Sequence, residues 1–200
     1  MSVENKEVTE RAQEALASDK ELASLLDDVC GNSRRSRQNA AAVLNVVAKE
    51  DISRLADHAD VFIEALNLPE ARTRWESLDI LTRIVPINSR ACDKAVEGAD
   101  TALFDEDSGP LRLSAMRFLC KLGSTTPKRS ERIWPLIDEG IQCYHGDLEF
   151  NDMLQSLVDF SNGSLAPEVK AAFKERMAFD AEHGKGSIKH YAETIIANLG

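Results

Sequence analysis

The chain is short of several things, and each shortage excludes a class. No stretch approaches the ~18 unbroken apolar residues of a membrane-spanning helix, so none is expected. Phe, Tyr and Trp together make up 6 % of residues, with 10 Gly and 6 Pro. That is too few turn formers for an all-β domain of many short strands. The four cysteines, Cys30, Cys92, Cys120 and Cys143, lie far apart and form no CxxC pair. A disulfide framework or a zinc site needs denser or paired ligands, so reduced, mostly buried thiols are expected. His58, His145, His183 and His190 are equally scattered, and no metal or cofactor is expected. Positive charge is scarce too: 24 Lys and Arg against 34 Asp and Glu leave a net charge of −10. Phosphate contact needs clustered cations, so nucleic acid is not the expected partner. The opening MSVENKEVTERAQ has no apolar signal core, which gives a cytoplasmic expectation.

What remains is ordinary soluble composition, 43 % hydrophobic and 29 % charged, enough to build a core. That core is written in repeats. RQNAAAVLNVVAK from Arg37, RWESLDILTRIVP from Arg74, RLSAMRFLCKLGS from Arg112, FNDMLQSLVDFSN from Phe150 and IKHYAETIIANLG from Ile188 superpose at steps of 37 and then 38 residues. One apolar column reads Leu44, Leu81, Leu119, Leu157, Ile195. A second reads Ala41, Leu78, Met116, Leu154, Ala192, and a third Val47, Ile84, Leu122, Phe160, breaking at Asn198. Offsets of three between columns make one stripe of an α-helix. A second helix precedes each segment, with columns Leu22, Ala59, Val96, Trp134, Ala172 and Val29, Leu66, Leu103, Ile141, Phe179. Each unit is thus helix A, a turn and helix B. Such a unit cannot bury both faces alone, so units stack.

The boundaries have local causes. Ser18 with Glu21 has capping-box spacing, and Cys30-Gly31-Asn32-Ser33 combines a left-handed-tolerant Gly with a new N-cap. Pro86-Ile87-Asn88-Ser89, Gly123 to Pro127 and Asn162-Gly163-Ser164 mark turns between units. The chain is expected to be one repeat domain, 1–200. Residues 1–17 form a capping helix with Val8, Ala12 and Leu16 on one face, and the units run about 18–50, 51–88, 89–126, 127–163 and 164–200.

LNLPEARTRWESLDILTRIV and LFDEDSGPLRLSAMRFLCKLG, with Asp107 in the turn and Arg112 opening helix B, resemble the HEAT and armadillo α-solenoids. Asn32 with Arg37 is a softer match, and units four and five lack the Arg. The resemblance implies an all-α, α-α superhelix of about five hairpins. It also implies that the B helices line a concave surface and that Arg112 bonds the A–B turn, with Asp107 the expected acceptor.

On helix B the side opposite the core reads Arg35, Gln38, Asn39, Ala42, Val46 and Lys49 in the first unit. In the second it reads Arg72, Trp75, Glu76, Asp79 and Arg83, and in the third Pro110, Leu113, Ser114, Arg117 and Lys121. Trp75 and Leu113 share a phase, amid Arg72, Arg83, Arg117 and Lys121 in an otherwise acidic chain. An aromatic anchor ringed by Arg has the makings of a binding hot spot. Two readings stand: Trp75 anchors a partner, or it packs between adjacent B helices while the cations pair with Glu76 and Asp79.

The expected function is a non-enzymatic interaction module. Its partner-binding set is Arg72, Trp75, Asp79, Arg83, Leu113, Arg117 and Lys121, and its partner a protein segment carrying an acidic residue beside a hydrophobic one. The alternative is an enzyme acting on DNA in the manner of HEAT-like glycosylases. Asp152 and Asp159 on the fourth unit's outward face oppose that reading, because they repel phosphate.

Overall fold

A computed structural model describes residues 3–200, with side chains from Lys6 onward; the first two residues of the expected capping helix lie outside the described residues. Among the described residues there are eleven α-helices, two single-turn 3-10 helices and no strand. The chain forms two compact units, Met1–Ala102 and Leu103–Gly200.

The first unit starts with α1 (Val3–Ala17), which packs on both α2 (Asp19–Val29) and α3 (Arg34–Glu50) and buries Ala12 and Ala15. It lies against both helices of the first hairpin. Val8 and Leu16 are half-buried. Next come α4 (Ala59–Ala65) and α5 (Ala71–Cys92), packed on each other, with α5 alongside α3. α6 (Val96–Leu103) follows after a 3-10 turn. In the second unit α8 (Pro127–Tyr144) and α9 (Phe150–Ser161) both pack on α7 (Gly109–Gly123), and α11 (Gly186–Leu199) packs on α9 and on α10 (Pro167–His183). Within each unit the B helices therefore lie side by side: α3 with α5, and α7 with α9 and α11.

The column through Leu44, Leu81, Leu119, Leu157 and Ile195 is 0 % exposed throughout. The Ala41 and Val47 columns are buried to the same degree, up to the predicted break at Asn198. Caps also follow the sequence. The Ser18 hydroxyl accepts from the Glu21 N–H at 3.3 Å, Ser33 from Ser36 at 3.4 Å and Ser108 from Leu111 at 3.3 Å. The reciprocal half of the Ser18 capping box is replaced, because the Glu21 carboxylate takes Arg11 at 3.1 Å. The Pro86–Ser89 turn becomes a kink in a hydrogen-bonded helix that continues to Cys92. Asn88 leaves helical geometry (φ −141°, ψ 64°), and its Oδ1 accepts from the Ala91 N–H at 3.2 Å. It acts as an N-cap for the chain beyond it.

Three expectations need correction. Gly31 is not left-handed; among the described residues positive φ occurs at Gly146, Gly186 and Gly200. Phe179, expected in the core, is 69 % exposed. The inward face of α10 is instead Val169, Phe173, Met177 and Asp180, so the helix is turned by about one residue from the repeat, and Ala172, also expected inward, is half-buried. Two contacts hold it there: the Phe173 ring lies 4.9 Å from the Trp134 ring, and His145 Nε2 bridges both Asp180 oxygens at 3.0 and 3.1 Å. Finally, two of the four thiols are buried, Cys92 and Cys120, while Cys30 is half-buried and Cys143 exposed. All four are free, and burial raises the pKa of the Cys120 thiol.

Candidate functional site

The first turns of α3 and α7 carry the clearest polar architecture. Arg37 donates through Nη1 to the Gly31 carbonyl at 2.8 Å and through Nε to Glu70 at 3.1 Å, with Nη2 on the same carboxylate. Glu70 immediately precedes α5, so this clasp ties the first hairpin's turn to the next B helix. The guanidinium holds the Glu70 carboxyl below its usual pKa, and the carboxylate raises that of Arg37. Arg112 repeats the arrangement in the second unit. Nη1 reaches the Asp105 carbonyl at 2.7 Å and the Glu106 carbonyl at 3.3 Å, while Nε and Nη2 reach Glu149 just ahead of α9. The Tyr144 ring lies 5.3 Å beneath the guanidinium.

Arg112 thus bonds the A–B turn as the resemblance implies, but Asp107 is not the acceptor. The Asp107 N–H donates at 3.1 Å to Asp105 Oδ1, which also accepts from Ser108, so the turn folds on itself and offers carbonyls to the guanidinium. The carboxylate comes from the next hairpin. Periodicity does not reveal Glu70 and Glu149, because they stand at unequal distances from the Arg, 33 and 37 residues, so no single column of the repeat carries the carboxylate.

The structure places Arg72, Trp75, Asp79 and Arg83 along the outward side of α5. Trp75 and Asp79 are half-buried, the Arg72 side chain is 39 % exposed and Arg83 is exposed. Leu113, Arg117 and Lys121 share the corresponding side of α7 in the second unit, with Leu113 half-buried and the two cations exposed. Arg83, Arg117 and Lys121 make no ion pair among the described residues. Arg72 stands 4.0 Å from Glu76, so it is partly engaged within its own helix.

Glu76 is the residue that phase alone undervalued. Its side chain is 15 % exposed, and one oxygen accepts a hydrogen bond from Asn45 Nδ2 on α3. Burial pushes its carboxyl pKa up, against the lowering effect of the Asn45 bond; Asp79 adds to the rise, and Arg72 and Lys49 oppose it. Asn45 itself is 3 % exposed, and its Oδ1 has no hydrogen-bond partner. The outward stripe is narrower than periodicity predicts. Ala42 is 7 % exposed and Ser114 4 %, because neighbouring B helices, and α1 beside α3, cover the flanks. Chemically, the α5 face presents an indole edge, one solvated cation and a desolvated carboxylate held by an amide. Among the described residues no three His, Cys, Asp or Glu side chains gather as a metal site.

No protein-family model matches this chain, and no curated protein matches its sequence. Solved structures do match. A designed armadillo repeat protein in complex with the peptide (KR)4 aligns with a TM-score of 0.78 over 98 % of this chain and 91 % of that one, at 11 % identity. An engineered protein aligns with a TM-score of 0.73 over 96 % and 88 %, at 14 % identity. Computationally designed armadillo repeat proteins for modular peptide recognition align with a TM-score of 0.69 over 98 % and 93 %, at 11 % identity. At such identities the likeness is one of fold, and the fold of this chain is an all-α, armadillo-like α-α superhelix.

Proposed function

We propose that this protein is a non-enzymatic binding module that holds a segment of another protein against the outward sides of its B helices. The observation that carries the reading is Trp75. Its indole is half-buried on α5 in a unit whose core is filled by Ala, Val, Leu, Ile and Phe62. A large aromatic left half at the surface near exposed cations suits an anchor better than a packing element. The designed armadillo proteins supply the analogy, since one is in complex with a peptide and others are described as made for modular peptide recognition.

The peptide in that complex is basic, whereas the cations here without an ion pair among the described residues are Arg83 on α5 and, on α7, Arg117 and Lys121, with Asp79 an uncommitted anion on α5. The α7 patch, whose charges are both positive, favours a segment with an acidic residue beside a hydrophobic one, while on α5 Asp79 offsets Arg83 and Trp75 supplies the apolar contact. Glu76, desolvated and bonded to Asn45, sets the edge of the α5 patch and disfavours an acidic residue placed directly on it. The test is to pan a random peptide display library on the purified chain and measure the enriched peptides by titration. The expected peptides pair Asp or Glu with a bulky apolar residue, and Trp75→Ala weakens them by about tenfold or more at unchanged melting temperature. Equal binding by a folded Trp75→Ala protein refutes the site, and loss of stability on that substitution assigns Trp75 to packing.

A further inference from the structure

The second unit carries an aromatic surface that the repeat pattern places in the core. Phe179 is 69 % exposed and lines a groove of about 480 Å³ between α8 and α10, together with Trp134, Asp138, Ala172, Glu175 and Arg176. The groove is built rather than incidental. The Trp134 ring is stacked 6.3 Å from Phe160 and lies 4.9 Å from Phe173, which fixes one wall. Arg176 spans the two helices, donating to Asp138 through Nε at 2.5 Å and Nη2 at 3.0 Å, so the two charges cancel. Ala172 leaves room between the aromatic residues. The Phe179 ring lies 5.0 Å from the His183 ring.

Charge tells which partner fits. With Arg176 and Asp138 neutralised, Glu175 is the remaining charge in the groove lining. Glu168 and Glu182 extend the same exposed stripe of α10 at seven-residue steps, Glu182 lying 3.7 Å from His183. The nearby lysine Lys174 is turned to the Gly200 carbonyl. We infer that the α8–α10 groove docks a basic amphipathic helix of another protein, its bulky aliphatic side chain seated between Trp134 and Phe179 and its Lys or Arg residues along Glu168, Glu175 and Glu182. This surface is separate from the B-helix faces of the proposed function. An amphipathic helix suits it because anchors three or four residues apart fill one apolar groove while flanking cations reach an acidic rim. The exposed Phe179 and the half-exposed Trp134 are the two anchors expected to count most.

The experiment uses the full chain with Trp75→Phe, so that Trp134 is the sole tryptophan and its fluorescence reports on the groove. The probe is a synthetic helical peptide of Leu and Lys in amphipathic register; the control replaces each Lys by Glu. The basic peptide is expected to give a saturable change in Trp134 emission, weakened by added salt, and the acidic peptide none. Phe179→Ser, at a position largely in water, is expected to melt with the parent and to bind about tenfold or more weakly. Glu175→Lys is expected to weaken binding further from saturation at low salt than at high salt. Equal affinity in Phe179→Ser, equal affinity for the acidic peptide, or binding detected by peptide anisotropy without any change in Trp134 emission each overturns the inference.

Discussion

The two compact units reach the same architecture with different material. Phe62 and Trp75 are the Phe, Tyr and Trp residues of the first unit, and all others lie in the second. The first unit buries many small side chains, with Ala12, Ala15, Ala40, Ala41, Ala48, Ala59 and Ala65 almost wholly buried. The second packs through Trp134, Phe160 and Phe173, whose rings meet at 4.9 to 6.3 Å. Both use one polar device, an Arg at the start of helix B clasping its own turn and the carboxylate ahead of the next B helix. The comparison separates what a repeat needs from what it tolerates. The Leu column and the Arg clasp recur, while the filling between helices is free to be small or aromatic. It also isolates the outliers: a Trp on the surface of the unit built from small residues, and a Phe outside the aromatic core of the other.

The comparison is broken most strongly at the shared column. Leu81→Ala and Leu119→Ala each remove a side chain that is 0 % exposed, one per unit, and each is expected to cost about 2–5 kcal/mol in urea unfolding. If the units differ in plasticity as their packing suggests, the small-residue unit collapses less easily around the cavity, and Leu81→Ala lies toward the upper end. A cost under about 1 kcal/mol for both would discard the column as the core.

The clasp comes next. Arg112→Met leaves the Glu149 carboxylate, 21 % exposed, beside two orphaned carbonyls, and a loss of about 1–3 kcal/mol is expected. In the first unit the same device is read best by pH. Glu70 has a folded pKa below its unfolded value of about 4.3, so its contribution is present above that pH and fades as pH falls through the folded value. Arg37→Gln should therefore narrow the stability gap between pH 6 and pH 3. An unchanged gap would remove the clasp from the account of acid stability.

Glu76, six residues on, has the opposite sign. Its folded pKa is raised, so the folded state holds its proton longer than the unfolded one. Stability then declines as pH rises through about 4.3 toward the folded value. Glu76→Gln keeps an acceptor for Asn45 and removes the charge, so it should raise the melting temperature at pH 7 and converge with the parent below pH 4. A lower melting temperature at pH 7 would mean that Arg72 and Lys49 outweigh desolvation. The smallest effect belongs to Phe179→Ser, expected within about 0.5 kcal/mol of the parent because the ring is largely in water.

Most of the fold could be read from the residues. Offsets of three and seven with a 37- to 38-residue step located the helices, their buried columns and the turns, because a stacked helix repeats its inward face once per unit. The candidate site was legible only as a phase. Trp75, Asp79 and Arg83 do lie outward on α5, but how deeply Glu76 sits depends on Asn45 across the neighbouring helix. Likewise Asp107 was the acceptor that spacing suggested, and the turn's own hydrogen bonds to Asp105 Oδ1 took it out of reach.

By itself the sequence determined the helical class, the repeat and the buried Leu column, all of which follow from periodicity within one helix and its recurrence. Only the tertiary structure decided which carboxylates close the Arg clasps, that Glu76 is desolvated and that Phe179 faces water. Those depend on the rotation of one helix against another. A turn of about one residue in α10, fixed by Phe173 on Trp134 and by Asp180 on His145, exchanges a core position for a surface one, and no single helix's pattern records it.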